Sequence, residues 1–411
     1  MRRGKMKEKW LLKVCVVFAL GMAIGLSASP VLAESADVIK IGAVLPQTGR
    51  MAAGGREIKS GYQLFVEHIN KGGGVYLKEA GKKLPVKLIL LDDESDPVKS
   101  ASRLEKLSSV DKVAAYLGGF SSMLNVAGMA IAEKNKVPWV GVTIAVEAPL
   151  KKGFRYVFVP FGMSGSQTRG FFDVLDVIPK NQRPRRIVNF ELQTDWGIEC
   201  GNHMKKLAKE RGYDLMVEKY SPATRDYSSM ILAAKSFGAE ALFSVPIPPQ
   251  AIGLVKQMKE LDYAPKVTCF IRGADFWTYW EALKQDANYI ISDGNWDEHM
   301  PYPGNENLRR DYLAKHKGVK SIGVAVGAAY AAGQVLTNAI EKAGTLDREK
   351  IRDALAATDM MTVKGPIKFK KNDTAEVVFG LRQWQNGQQK IISPPDIANA
   401  KVLVAPPWSK R

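Results

Sequence analysis

From Val38 onward the sequence alternates short apolar runs with stretches of helical periodicity, and it does so twice. "VIKIGAVLP" reads as a strand ending in a Gly/Thr loop, and "EIKSGYQLFVEHIN" carries Ile58, Tyr62, Phe65 and Ile69 at helical spacing. "VKLILLDDE" is a strand, and "PVKSASRLEKLSSV" is read with Val98, Ala101, Leu104 and Leu107 on one face. "VAAYL", a helix from Met123 to Lys134 and "VPWVGV" continue the rhythm. A second run starts at "RRIVNF" and passes through "DLMVEKY", "ALFSV" and "KVTCFI", with helices between. Near-continuous apolar strands separated by helices specify a parallel sheet covered on both faces. Two such runs predict an α/β fold of two lobes with a cleft between them, and ligands of such sheets bind beyond the carboxyl ends of the strands. The tail differs: "VVFGLRQWQNGQQKII" reads as two strands about an Asn386–Gly387 turn.

At one strand end the sequence runs Gly118, Gly119, Phe120, Ser121, Ser122 and then enters the helix. An open helix start offers unpaired N–H groups and a partial positive charge to an anion. A capping role for Ser121 and Ser122 is the plainer reading. "TDWGIEC" (Thr194–Cys200) and "IRGADFW" (Ile271–Trp277) occupy equivalent strand ends in the second run.

Residues 1–33 read as an export leader: a basic start, the apolar stretch Val14–Leu26, and small residues up to a cleavage site after Ala33. Lys13, Ser27, Ser29 and Pro30 cut the stretch short of the ~20 residues that span a bilayer. The formal charge of +17 falls to +12 without the leader's six Lys/Arg and one Glu. That excess is scattered in segments such as "KKGFR", without a long basic tract, which argues against a nucleic-acid surface. Cys200 and Cys269 are read as free, buried thiols.

Catalytic signatures are missing. His68, His203, His299 and His316 show no HExxH pattern, no CxxC pair occurs, and "GMSGS" (Gly162–Ser166) misses the GxSxG spacing. "DDES" (Asp92–Ser95) reads as a strand-end acidic turn. Phe276, Trp277, Tyr279 and Trp280 suit either a stacking surface or a helix core. No cofactor and no metal site are expected, and the chain is read as a non-enzyme.

The segments "IKIGAVLPQTG", "GYQLFVEHINKGGG", "LDDESDPVKSASRLEKL" and "YLGGFSSMLNVAGMAIAEKNKVPWVG", in this order, resemble the type I periplasmic solute-binding proteins of ABC transporters, in the leucine/isoleucine/valine-binding branch. The resemblance implies two Rossmann-like lobes joined by hinge crossovers, with residues 38–160 and 296–376 in one and 161–295 and 377–411 in the other. It implies a periplasmic monomer that closes over a small carboxylate-bearing solute and docks on an inner-membrane permease.

By the same resemblance Ser122, with Ser121, holds the solute carboxylate. The Thr/Ala loop spans Thr143 to Ala145, with Ala145 where the family has Thr, so that Thr143 is expected to serve as the carboxylate donor instead. Trp196 matches an aromatic residue that closes over the ligand. The family's acidic partner for an ammonium group is replaced by Arg272, with Asp275 three residues on as a substitute acid, and a second aromatic position falls on Gly54. Ser95 and Ser121 stand where the family has a disulfide. Two like charges ~4 Å apart cost about 4 kcal/mol at an effective dielectric near 20, so a bare Arg272 would oppose an ammonium. The expected solute is therefore an organic or aromatic acid, stacked on Trp196 or Trp277, ahead of a hydrophobic amino acid. A sensing module for a membrane kinase would share these features and is distinguished by neighbouring genes. An exported α/β hydrolase would need a cleft histidine beside a serine or aspartate.

Overall fold

The computed structural model describes residues 38–370 and 374–411, and the expected leader with its cleavage after Ala33 lies outside the described residues. Strand β1 (Ile39–Leu45) is followed by helix Ala52–Lys71 and a short hairpin of β2 (Val75–Leu77) and β3 (Lys82–Leu84). Then come β4 (Val86–Asp92), β5 (Ala115–Leu117), β6 (Trp139–Val140) and β7 (Val157–Phe158). These form a parallel sheet in the order β4-β1-β5-β6-β7. As the edge strand, β4 leaves Leu88–Leu91 only half-buried despite its unbroken apolar run.

The second run supplies β8 (Arg186–Leu192), β9 (Asp214–Tyr220), β10 (Ala241–Ser244), β11 (Val267–Phe270) and β12 (Ile290–Gly294). A small antiparallel sheet of β13 (Asp359–Thr362), β14 (Gly365–Phe369) and β15 (Ala375–Glu376) follows. The hairpin β16 (Gly380–Gln385) and β17 (Gln388–Ser393) then joins the second sheet, whose order is β17-β16-β12-β11-β10-β8-β9. Its turn residues Asn386 and Gly387 have φ of 51° and 78°, as a two-residue hairpin turn of the primed type requires. In each sheet the first strand of the run lies between the second and the third. That arrangement opens a crevice at the carboxyl end, beside β1 in one sheet and β8 in the other.

Helix Pro97–Ser109 begins with Asp96 accepting the N–H groups of Val98 and Lys99, and with Pro97 in its first turn. Leu104 and Leu107 are buried, but Val98 is 75% exposed, contrary to the expected single face. Steps of three residues advance 300° around a helix, so the stripe drifts and Val98 ends opposite Leu107.

The buried apolar residues form two clusters. One gathers buried residues from Ile39 to Phe161 and from Trp296 to Phe369, with Phe276 and Ile391, and the other gathers the rest of those from Phe171 to Ile291 and from Leu381 to Trp408. Trp196 packs against both. The chain passes between the clusters near residues 159–163 and 294–296, where the Gly162 N–H donates to Asn295 Oδ1 at 2.7 Å. Cys200 and Cys269 are free and buried, and burial pushes both thiols up. The "DDES" segment is a turn: Asp92 Oδ1 accepts the N–H groups of Gln47 and Glu94. No described helix is long and apolar enough to cross a membrane.

Candidate functional site

The carboxyl ends of β1, β5 and β6 face those of β8, β10 and β11 across a cavity of about 280 Å³. That is at the lower edge of the size range for small-molecule sites. On one wall Gly119 allows a close backbone approach, since a Cβ there would meet the Val44 carbonyl oxygen at 2.4 Å. The buried Asn125 side chain binds both groups of the Gly119 backbone and donates to the Val142 carbonyl, tying the two loops together.

Four expected site residues meet on this wall. Ser121 N–H donates to Thr143 Oγ1 at 3.1 Å, and that hydroxyl donates to the Gly119 carbonyl at 3.3 Å. Ala145 N–H donates to Ser122 Oγ at 3.1 Å. Thr143 therefore braces the helix start and has no hydroxyl proton left for a solute. Ser122 Oγ only accepts among the described residues, so its proton is free, and the Ser122 N–H, at the first position of helix Ser122–Lys134, has no partner within it. Ser121 is the residue before this helix, and its hydroxyl accepts the Met123 N–H at 3.4 Å. Ser121 sits at φ 72°, ψ 137° and Thr143 at φ 51°, both unfavourable for non-glycine residues. Such conformations cost of the order of 1–3 kcal/mol each and gather at ligand sites.

The opposite wall is the first turn of helix Asp195–Arg211, capped by Thr194, whose hydroxyl accepts the Gly197 N–H at 3.2 Å. Trp196 presents its indole to the cavity, oriented by donation of Nε1–H to Gln167 Oε1 at 3.0 Å. Leu192, Pro222, Val245 and Ile247 complete an apolar surface that the sequence patterns did not single out.

Arg272 lines the cavity, but not as a bare charge. Its guanidinium donates to Asp275 Oδ2 at 2.8 Å and to Asp293 Oδ2 at 2.7 Å, and it lies 5.9 Å and 5.6 Å from the ring centres of Phe120 and Phe161. Burial opposes the charge, but Asp275 and Asp293 outweigh it and hold the guanidinium pKa above its usual value. The penalty expected for an ammonium facing Arg272 is correspondingly smaller, because two carboxylates neutralise it from behind. Asp275 is fully buried and is absent from the cavity lining, so it does not stand in for the missing acid. Trp277 is absent as well: its Nε1–H donates to Glu281 and its ring packs near Trp384. Phe276 and Tyr279 are core residues, and Trp280 stacks on Trp384.

Phe120 and Met51 also line the cavity. A Cβ on Gly54 would meet the Phe120 ring at 2.4 Å, so the ring occupies the space over Gly54, where the resemblance placed an aromatic side chain. Asp195, next to Trp196 in the chain and exposed, is the one carboxylate of the lining, which holds neither histidine nor cysteine. The cavity therefore offers no nucleophile–base pair and no metal cradle among the described residues. Its chemistry is one of hydrogen-bond donors at two ends and an apolar middle.

The profile of the periplasmic binding protein family matches residues 38–388. A Leu/Ile/Val-binding protein homologue of Brucella melitensis is 24% identical over 92% of this chain and 98% of its own. The Streptococcus pneumoniae branched-chain amino acid substrate-binding protein LivJ, solved with isoleucine, superposes with a TM-score of 0.75 at 20% identity, covering 90% of this chain and all of that one. A solute-binding protein of Rhodopseudomonas palustris solved with benzoate gives 0.74 at 18% identity, over 90% of this chain and 98% of that one. These structures share the fold.

Proposed function

We propose that this chain, which belongs to the periplasmic binding protein family, is the exported solute receptor of an ABC importer and captures a small carboxylate-bearing solute with an apolar body. The two clusters, each with its own sheet, act as lobes that close on the solute by hinge motion at the crossovers. The lobes comprise residues 38–160 with 296–376 and 161–295 with 377–411.

In this reading the Ser122 hydroxyl and the open amides of its helix receive the carboxylate. Trp196, Leu192, Val245 and Ile247 enclose the apolar body. Binding energy, with no bond made or broken, is the whole function.

An organic or aromatic acid is favoured over a hydrophobic amino acid, and one observation carries that preference. Asp275 and Asp293 lie outside the cavity lining, and both are consumed by Arg272. Arg272 has donors and no acceptor, so its face of the cavity suits an oxygen better than an ammonium. Solutes with a carboxylate beside an apolar body are also the common ground between the isoleucine and benzoate complexes of similar fold.

Calorimetry with benzoate, a hydroxycinnamate, leucine and phenylalanine at one pH tests the preference. Tight leucine binding that survives Arg272→Ala but is lost in Asp195→Asn or Asp275→Ala would restore an amino acid as the ligand. Ser122→Ala should weaken the best-bound acid at least tenfold, since a hydrogen bond to a charged group is worth ~1.5–3 kcal/mol. Unchanged affinity would reduce Ser122 to a helix-start residue.

A further inference from the structure

The segment Gly162–Ser166 takes no part in the cavity. It opens helix Ser164–Val177, and three side chains converge on its first turn. Glu199 and His203 are four residues apart on helix Asp195–Arg211 and so share a face. Glu147 arrives from the loop after β6, in the other sheet. One ligating atom from each lies within 4.8 Å of the other two, with Glu147 Oε1 3.8 Å from His203 Nε2.

Both carboxylates are pre-positioned. Glu147 Oε1 accepts the Gly165 N–H at 3.1 Å, and Glu199 accepts the N–H groups of Glu147 and Ala148 at 2.7 and 3.1 Å. The Ser164 hydroxyl donates to Glu199. The His203 imidazole has no hydrogen-bond partner among the described residues, and it points its Nε2 at the acids. Gly165 keeps the space open: a Cβ there would lie 3.0 Å from Glu147 Oε1 and 3.5 Å from His203 Nε2.

We propose that Glu147, Glu199 and His203 form a binding site for a divalent transition-metal ion of the zinc type, separate from the solute cavity. One imidazole nitrogen and two carboxylate oxygens are donors zinc accepts at ~2.0–2.2 Å, with water in the fourth position. Those bond lengths put tetrahedral ligand atoms about 3.4 Å apart, close to the 3.8 Å already separating Glu147 and His203. The side chains of His203 and Glu147 are 31% and 30% exposed, so an ion can enter and the rotamers can adjust without disturbing either core. An ion here joins a loop of the first sheet to a helix of the second.

The test is calorimetric titration of the metal-stripped, exported protein with zinc chloride, beside His203→Ala, Glu147→Gln and, as control, His299→Ala. His299 is the control because its imidazole pairs with Asp297 and lies outside the Glu147, Glu199 and His203 cluster. The expected result is one zinc per chain, bound at least tenfold more weakly by the first two variants and unchanged in the control. Cobalt should give a visible absorption band that disappears in His203→Ala. No binding at millimolar zinc, binding that survives either His203→Ala or Glu147→Gln, or loss in His299→Ala instead, would each overturn the assignment. Circular dichroism verifies folding, and His203→Gln replaces the alanine variant if that one misfolds.

Discussion

Replacing Arg272 by methionine should destabilise the protein far more than the loss of a surface charge would. The arginine side chain is 7% exposed, and Asp275 and Asp293 are fully buried at 2.8 and 2.7 Å from it. Methionine matches most of the aliphatic stem, so what is lost is mainly the guanidinium that lies near the Phe120 and Phe161 rings. What remains is two buried carboxylates that have lost their hydrogen-bonded cation, with Arg382 and Lys364 acting on them only through space. Removing one partner of a buried pair costs ~3–5 kcal/mol. At roughly 2–4 °C per kcal/mol for a large domain, thermal unfolding should fall by on the order of 10 °C at pH 8.

Burial already raises the Asp275 carboxyl, and loss of the Arg272 charge that lowers it leaves it above its value in the unfolded chain. The stability Asp275 contributes is present at acid pH and lost as pH rises through its folded value, so the deficit of the variant should shrink at pH 5. Adding Asp275→Asn and Asp293→Asn removes both orphan charges. It also preserves carbonyl oxygens for the N–H groups of Gly273 and Asn295, which Asp275 Oδ1 and Asp293 Oδ1 now accept. This triple variant should recover most of the loss. Thermal unfolding followed by circular dichroism at both pH values is the assay. A single variant within 2 °C of the parent at pH 8, or a triple variant as unstable as the single one, would refute the buried-pair reasoning.

Three further outcomes follow from the site and its surroundings. Ser121→Gly should raise stability by about 1 kcal/mol, because glycine accepts φ 72°, ψ 137° without strain and keeps most of the capping free energy; a lower melting temperature would show the hydroxyl matters more than the backbone. Gly54→Ala should weaken solute binding and lower the melting temperature, since its Cβ would displace the Phe120 ring from 2.4 Å; parent-like behaviour in both would mean the ring moves freely. Asp93 is buried with Oδ2 unpartnered, and its carboxyl is pushed up to about 7, chiefly by burial. Its contribution to stability is present below pH ~4 and lost as pH rises through 7, so Asp93→Asn should match the parent at pH 4 and exceed it by up to a few kcal/mol at pH 8 in denaturant titrations. A gain equal at both pH values would place the effect in packing.

The sequence by itself determined the elements and their order. Alternating apolar runs and helical stripes record which side chains leave water, and that record is local, so both α/β runs, the helix after Ser121 and the Asn386–Gly387 hairpin were legible from it. Ser121, Ser122, Thr143, Ala145, Trp196 and Arg272 were legible as strand-end residues, and all line one cavity. Roles within that cavity were not legible, because they depend on partners brought from elsewhere in the chain. Arg272 reads as a charge facing the solute until Asp293, 21 residues away, and the Phe120 and Phe161 rings enclose it. Thr143 reads as a donor until its proton is given to the Gly119 carbonyl. Asp275 and Trp277 read as site residues until the loop after β11 turns Asp275 into the core and Trp277 away from the cavity. His203 was read as having no partner at metal-ligand spacing, although Glu199 stands four residues before it on one helix, and Glu147 joins them only because the sheets come together. Periodicity fixes which face of an element is buried; hydrogen bonds and ion pairs a few ångströms long are fixed by tertiary contacts, and those decide what each polar side chain has left to offer a ligand.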